Sequence, residues 1–76
     1  MIHIAIKTEC IKLDSFLKLT GAVLSGGEAK NRIQAGEVKV NTEVCTMRGK
    51  KLISGDVIKI NRSSDIYKVV KEGEDR

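Results

Sequence analysis

The hydrophobic spacing of this sequence changes at Gly36, and no other feature limits the fold as much. Ahead of it, Leu13, Phe16 and Leu17 stand at i, i+3 and i+4, the spacing of one apolar face of a helix. Beyond it, residues 37–41 alternate polar and apolar side chains, as a strand buried on one face does. The chain is therefore predicted to form helices first and then to continue as a sheet.

The start of a second helix is marked by its capping residues. Ser25 is the predicted N-cap, and Glu28, three positions on, completes a capping box. Leu24 and Ala29 occupy the positions of a hydrophobic staple, in which the residue before the cap packs against the helix. Ala29 and Ile33 are one turn apart and mark the buried stripe.

Strands are predicted on both sides of the helix pair. Glycines at positions 21 and 36 are placed to end the two helices. The predicted strands are Ile2–Ile6 and residues 37–41, 43–47, 57–60 and 66–70. Asn41 and Thr42 are the predicted turn of a hairpin. Together these elements predict an α+β fold in which a two-helix hairpin packs on a small, mostly antiparallel sheet that the two terminal strands extend.

Positive charge is concentrated in the middle of the chain. The 76 residues, enough for a single domain (1–76), carry a formal net charge of +4. Residues 12–62 contain ten basic and five acidic side chains, whereas residues 63–76 contain three basic and four acidic ones. A basic segment of this kind indicates an anionic partner, either nucleic acid or a membrane surface. No apolar run is long enough to span a bilayer and no export signal is visible, so a cytoplasmic protein is expected.

Side chains for catalysis or metal binding are few and far apart. The soft ligands are Cys10, Cys45 and His3, and their spacing fits no zinc site, so neither a metal nor another cofactor is expected. No arrangement of a nucleophile with a histidine is visible. Gly26 and Gly27 lack the frame of a nucleotide-binding loop. The chain is therefore predicted not to be an enzyme and to have no small-molecule substrate.

An ordered set of motifs resembles the S-four-type RNA-binding domain, the αL motif first described in a protein of the small ribosomal subunit. The motifs are, in chain order, Lys12-Leu13-Asp14, Phe16-Leu17, Ser25, Ile33, Gly36-Glu37-Val38, Val40-Asn41 and Gly55-Asp56-Val57-Ile58. They place an RNA-binding core at residues 12–60, and residues 25–30 and 48–51 are similar to short stand-alone bacterial members. The resemblance implies the α+β fold given above and the binding of ribosomal or transfer RNA, with the ribosome or another protein as a further partner.

Three positions depart from the family's pattern. Many members have Arg where this chain has Lys12, and often Gly where it has Thr42. Many also have Arg directly after the residue that opens the second helix, where this chain has Gly26. The missing arginine removes a phosphate contact that the resemblance implies. Either that contact is absent here, or Lys30 and Arg32 supply it from one to two turns further along the helix.

The resemblance implies an RNA-binding surface formed by the second helix and a basic loop at residues 48–51. Its predicted contact residues are Lys12, Ser25, Gly26, Gly27, Lys30, Arg32, Asn41, Arg48, Lys50 and Lys51. At the helix start, bare glycine amides and the helix dipole form a seat for a phosphate, unless the glycines only tighten the turn. Asn41 either bonds the RNA or only supplies the hairpin turn, and Lys12 either contacts the RNA or is only solvated. Arg48 can bind phosphate through two parallel bonds, whereas the lysines act as point charges.

The small aromatic content favours a structured RNA as the partner. Phe16 and Tyr67 are the only aromatic rings apart from His3, and Phe16 falls on the apolar face of the first helix. Proteins that read single strands stack bases on several aromatic side chains. Binding is therefore predicted to rest on phosphate contacts and on the shape of the RNA.

A protein-interaction adaptor is the competing interpretation. Its basic surface would dock on an acidic partner protein, with Tyr67 and Met47 as the only candidates for an apolar or aromatic anchor. A membrane surface is a poorer fit, because the basic residues do not lie along a long amphipathic helix.

Overall fold

The computed structural model describes residues 1–61 and 63–73. Their helices and strands are, in chain order, β1 (Ile2–Ile6), β2 (Ile11–Lys12), α1 (Leu13–Thr20), α2 (Gly26–Gln34), β3 (Val38–Val40), β4 (Glu43–Val44), β5 (Lys51–Leu52), β6 (Val57–Ile60) and β7 (Ile66–Lys71). Arg62 and residues 74–76, which enter the charge count and the predicted 1–76 domain, lie outside the described residues. Within the described ranges, no helix is long and apolar enough to cross a membrane.

The main sheet is antiparallel except at one edge. Its strand order is β1-β7-β6-β3-β4. β3 pairs with β4 and β6, and β6 pairs with β7, all in antiparallel orientation. β1 pairs with β7 in parallel, from Ile2 opposite Tyr67 to Ile6 opposite Lys71. Both terminal strands therefore extend the sheet, as predicted, and they do so by pairing with each other.

The apolar stripes of the two helices pack on one face of this sheet. Leu13, Phe16 and Leu17 of α1 are buried, as are Ala29 and Ile33 of α2. They belong to one core with buried residues of the sheet, which include Ile6, Val38, Val40, Ile58, Ile60, Tyr67 and Val69. The Phe16 ring stands edge-on to the Tyr67 ring, with centroids 6.5 Å apart. Truncating such a buried ring to alanine costs about 3–5 kcal/mol, a large part of the stability of so small a domain.

Both helices end at the predicted glycines. Gly21 follows α1 with a φ of +81°, and Gly36 follows α2 with a φ of +79°. The amide of Gly36 donates to the Ile33 carbonyl and the amide of Glu37 donates to the Arg32 carbonyl, each at 3.1 Å. These two bonds form a Schellman motif, which requires the left-handed conformation that glycine adopts without strain.

The start of α2 agrees with the prediction at Ser25 and departs from it at Leu24. Ser25 Oγ accepts a hydrogen bond from the Glu28 amide at 3.2 Å, which confirms the N-cap. The Glu28 carboxylate accepts a bond from the Leu24 amide at 2.9 Å, one residue before the expected partner. The predicted staple is wrong, because Leu24 is 94% exposed while Ala29 is buried. Alanine offers only a methyl group, which is too little surface to hold a leucine side chain.

The hairpin turns at Asn41 and Thr42, as predicted, but its second arm is shorter. Val40 lies opposite Glu43, and both turn residues have positive φ, +51° and +74°, as a type I′ turn requires. Thr42 is β-branched, so this conformation costs it about 1–2 kcal/mol. The predicted arm at residues 43–47 is too long, because β4 ends at Val44 and the last bond to β3 runs from the Cys45 amide to the Val38 carbonyl at 2.9 Å. The chain then continues to Arg48, whose carbonyl bonds to the Asp14 amide of α1.

A two-stranded sheet of β2 and β5 lies beside α1 and was not expected from the sequence. Ile11 lies opposite Leu52, and Lys12 lies opposite Lys51. The predicted basic loop at residues 48–51 is correspondingly shorter, since Lys51 belongs to β5. Strands of two residues are too short to show an alternating pattern.

Candidate functional site

The start of α1 is closed by the backbone of the basic loop. Lys12 is the N-cap residue, and its side chain makes no capping hydrogen bond. The amide of Leu13 donates to the Lys50 carbonyl at 2.8 Å, and the amide of Asp14 donates to the Arg48 carbonyl at 3.2 Å. The first amides of a helix have no partner within it, so these two carbonyls supply the partners. The same bonds hold the loop against the helix.

Arg48 is also held through its side chain, by Asp14. Arg48 Nε donates to Asp14 Oδ2 at 3.0 Å, and Arg48 Nη2 lies 3.0 Å from the same oxygen. Asp14 Oδ1 accepts a bond from the Ser15 amide at 2.7 Å. The Asp14 side chain is only 14% exposed, whereas that of Arg48 is 45% exposed. The carboxylate is thus the fixed partner, and the guanidinium reaches from it into solvent.

The pKa of Asp14 reflects these contacts. Partial burial of the carboxyl group raises its pKa, because burial disfavours the charged form. The hydrogen bonds from Arg48 and from the Ser15 amide act in the opposite direction, as do the charges of Arg48 and Lys12. The net effect is a pKa below the usual value for aspartate, so Asp14 is ionised at neutral pH and keeps Arg48 paired.

The start of α2 is open by comparison. Ser25 bonds only to the amides of the third and fourth residues after it. Its hydroxyl accepts from the Glu28 amide and its carbonyl accepts from the Ala29 amide. Among the described residues, none supplies an acceptor for the amides of Gly26 and Gly27. The positive end of the helix dipole therefore faces outward here, with two amides that have no side chain above them.

The guanidinium of Arg48 lies beside this open end. A β-carbon built on Gly26 would lie 3.9 Å from Arg48 Nη2, an ordinary van der Waals contact. Asp14 and Gly26, at the starts of the two helices, thus both lie close to one guanidinium group.

Two lysines of the small sheet extend the positive charge. Lys12 and Lys51 are directly opposite each other in the β2–β5 pair, and both are exposed. Opposite residues of an antiparallel pair project to the same face, and like charges placed there destabilise the pair. An anion bound between them would relieve that repulsion.

Lys30 and Arg32 lie on different sides of α2. Lys30 is four residues after Gly26, so it lies on the same face one turn further on, and it is exposed. Arg32 lies across the buried stripe, with its Nη1 3.8 Å from Glu37 Oε1. The structure thus brings together seven of the predicted contact residues, which we call the basic surface: Lys12, Ser25, Gly26, Gly27, Lys30, Arg48 and Lys51.

Asn41 makes its side-chain contacts at the hairpin turn, and Lys50 lines a groove near it, although the Lys50 carbonyl closes the start of α1. Asn41 Nδ2 donates to Asp56 Oδ1 at 3.0 Å, and Asn41 Oδ1 accepts the Val57 amide at 2.9 Å. Asp56 Oδ2 in turn accepts the Ile53 amide at 2.9 Å. The Asn41 amide therefore ties the hairpin turn to the turn before β6. Lys50 lines a groove beside it, between the hairpin and residues 45–47.

The pairing of Asp14 with Arg48 was not predicted from the sequence. An aspartate in the first turn of a helix has an ordinary structural explanation. Its partner is 34 residues away along the chain. Complementary charge was the only available signal, and several basic residues would have satisfied it equally well.

Three comparisons with known proteins bear on this fold and site. Residues 4–70 match the family model described as S4 domain. The solution structure of YbcJ from E. coli, described as revealing an αL motif involved in RNA binding, has a TM-score of 0.69 to this chain. It is 31% identical, and the match covers 92% of this chain and 87% of YbcJ.

A relative from Bacillus subtilis (strain 168) is named "Probable ribosome maturation protein RlbA". It is 49% identical over 57 residues, which are 75% of this chain and 80% of the relative. Together with the two-helix hairpin packed on a mostly antiparallel sheet, these matches confirm the resemblance seen in the sequence. The chain belongs to the S4 domain family.

Proposed function

We propose that this protein binds structured RNA, with ribosomal RNA as its foremost partner, chiefly through phosphate contacts at the basic surface. The observation that carries the proposal is the open start of α2 beside the Arg48 guanidinium. YbcJ is described as having a motif involved in RNA binding, and the Bacillus subtilis relative is named for ribosome maturation. Transfer RNA is the alternative within the same class.

The chemistry of the basic surface suits a phosphodiester. The amides of Gly26 and Gly27 can donate to a phosphate oxygen at the positive end of the helix dipole. Arg48 uses Nε and Nη2 for Asp14 and keeps its other N–H donors for a second phosphate oxygen. Lys12 and Lys51 offer a second position for the RNA backbone.

The location of the aromatic rings supports a structured partner. Phe16 is fully buried and Tyr67 is only 8% exposed, so neither ring can stack on a base. Without a stacking platform, a protein gains little from unpaired bases. Phosphate positions, which depend on the fold of the RNA, are what this surface can recognise.

Binding to a hairpin fragment of ribosomal RNA tests the proposal, with duplex DNA of equal length as the competing ligand. We would titrate the protein at several salt concentrations by fluorescence anisotropy. The test variant carries Lys12→Ala, Arg48→Ala and Lys51→Ala together. We expect tighter binding to RNA than to DNA. The salt dependence should become shallower in the variant by about 0.7–0.9 for each phosphate group that it no longer neutralises.

A charge-matched control lies on the solvent face of the sheet. Lys39→Ala and Lys59→Ala, which lie opposite each other in β3 and β6, and Lys68→Ala of β7 remove the same charge far from the helix starts. This control should keep nearly all of its RNA affinity. Equal losses in the two triple variants would contradict a localised surface, and wild-type binding to neither polymer would contradict RNA binding itself.

A protein-docking function remains the second candidate, and one observation favours it. Of the two predicted anchors, Tyr67 is buried in the core, but Met47 is 66% exposed beside the basic loop. If RNA binding fails in the assay above, an acidic protein that contacts Met47 and Arg48 becomes the better interpretation.

A further inference from the structure

The first residue of α2 has no side chain, and the side chain of Arg48 lies beside it. Gly26 is the first residue of the helix and has no β-carbon, and Arg48 Nη2 lies 3.9 Å from the position that a β-carbon there would occupy. Here the guanidinium comes from 22 positions further along the chain, so the charge is supplied without the side chain of the helix itself.

An arginine that reaches from a loop needs something to hold it over the helix. Its long side chain would otherwise lose its rotamer freedom each time it bound an anion. Asp14 removes that freedom beforehand, since one carboxylate oxygen contacts both Nε and Nη2 at 3.0 Å. Asp14 is itself fixed through its bond with the Ser15 amide and its place in the first turn of α1.

We propose that Asp14 is a positioning residue that raises the affinity for RNA by holding the Arg48 guanidinium over the first turn of α2. The inference rests on the proposed function and names the arrangement that makes the site work. The expected effect of the Asp14 charge on RNA affinity is opposite to that of simple repulsion. An acidic side chain beside a phosphate site should weaken binding by simple Coulomb repulsion, whereas here the removal of the acidic charge lowers the affinity.

The first test compares Asp14→Asn with Asp65→Asn, which removes the same charge from the segment before β7. Asparagine keeps an acceptor for the Ser15 amide, and the Arg48 carbonyl still bonds to the backbone of residue 14. We expect the dissociation constant for the ribosomal RNA hairpin to rise about threefold in Asp14→Asn, the upper range for one exposed ion pair. Asp65→Asn should bind as tightly as the wild type or slightly tighter. Circular dichroism and thermal unfolding verify that both variants are folded.

A double-mutant cycle separates positioning from a general structural effect. In an Arg48→Ala background, Asp14 has no guanidinium to hold, so Asp14→Asn should cost no affinity and should gain a little. Adding Gly26→Arg to Arg48→Ala should restore much of the affinity, because the helix then carries the guanidinium itself. The backbone at position 26 accepts a side chain, since its φ is not positive and an added β-carbon meets nothing closer than 3.9 Å.

The outcomes are distinguishable from those of the proposed function. If the wild type binds RNA and Asp14→Asn binds equally well or more tightly, the positioning role is overturned and the RNA-binding function stands. The same conclusion follows if Asp14→Asn weakens binding equally with and without Arg48. If the wild type does not bind RNA, the proposed function fails, and the positioning role fails with it.

Discussion

The two helices of this protein begin in opposite ways, although they start within a few ångströms of one guanidinium group. The first amides of α1 are satisfied by the carbonyls of Lys50 and Arg48, and its cap residue uses no side chain. The first two residues of α2 are glycines whose amides find no acceptor among the described residues. One start is closed by the loop backbone, and the other keeps two amides without an acceptor among the described residues.

This difference shows that a helix dipole is not sufficient for anion binding. Both helices direct a positive end outward, but an anion also needs amides that are not already bonded. At α1 the loop backbone takes the place that a phosphate would occupy. The loop thereby has two functions, since it closes α1 and carries Arg48 to α2.

The largest expected effect comes from closing α2 with a negative charge. Gly26→Glu places a carboxylate where the phosphate is proposed to bind and gives Arg48 a second intramolecular partner. We expect RNA affinity to fall by about tenfold or more, the value of one or two charge-assisted hydrogen bonds. Stability should not fall, because an acidic side chain in the first turn of a helix contributes about 0.3–1 kcal/mol. Anisotropy titration and urea unfolding measure the two effects.

Gln34→Glu is the matched control for that variant, since it adds the same charge at the far end of α2. It should lower RNA affinity only slightly. Comparable losses for the two variants would mean that overall charge, and not the open helix start, determines binding.

A smaller effect is expected on the free energy of unfolding when the cap residue of each helix is changed to alanine. Ser25→Ala removes the hydroxyl that caps α2 and should lower the free energy of unfolding by about 1 kcal/mol. Lys12→Ala, at the equivalent position of α1, should change it by no more than about 0.5 kcal/mol, because only backbone carbonyls cap that helix. Urea unfolding of both variants at pH 7 checks this. Equal losses would show that the Lys12 side chain contributes to α1 in a way its contacts do not indicate.

The smallest effect concerns pH and the ion pair between the two helix starts. The pKa of Asp14 is lowered in the folded protein, so its contribution to stability is present above the unfolded value of about 3.9 and is lost as pH falls below it. Asp14→Asn should therefore be less stable than the wild type at pH 7 by a few tenths of a kcal/mol. The difference should shrink as the pH falls through the lowered pKa of Asp14. Urea unfolding between pH 3 and 7 measures it, and a constant difference would contradict the ion pair as its cause.

Features determined by neighbours in the chain could be predicted from the sequence. Gly21 and Gly36 end helices because the residue beyond a helix often adopts a conformation that favours glycine. Ser25 caps α2 through the amide three residues later. Apolar spacing placed Phe16 and Ile33 in the core for the same reason, since one turn of a helix is a local repeat.

Features that depend on distant residues could not be predicted. The parallel pairing of β1 with β7, the β2–β5 sheet and the contact of Asp14 with Arg48 all join segments far apart in sequence. Charge and hydrophobicity restrict such partners without choosing among them. The candidate site shows the consequence, because the side chains of Arg32 and Asn41, two of the predicted contact residues, bond to Glu37 and Asp56 away from the basic surface.

The parallel pairing of the terminal strands has a consequence for the order of folding. Ile2 cannot meet Tyr67 until nearly all of the described chain has been synthesised. Both helices and the β3–β4 hairpin consist of local contacts, which form early because little loop entropy opposes them. On a translating ribosome, β1 would therefore emerge before the other described elements and find its partner after them. Until then its three isoleucines lie on an unpaired strand, which is open to mispairing during synthesis.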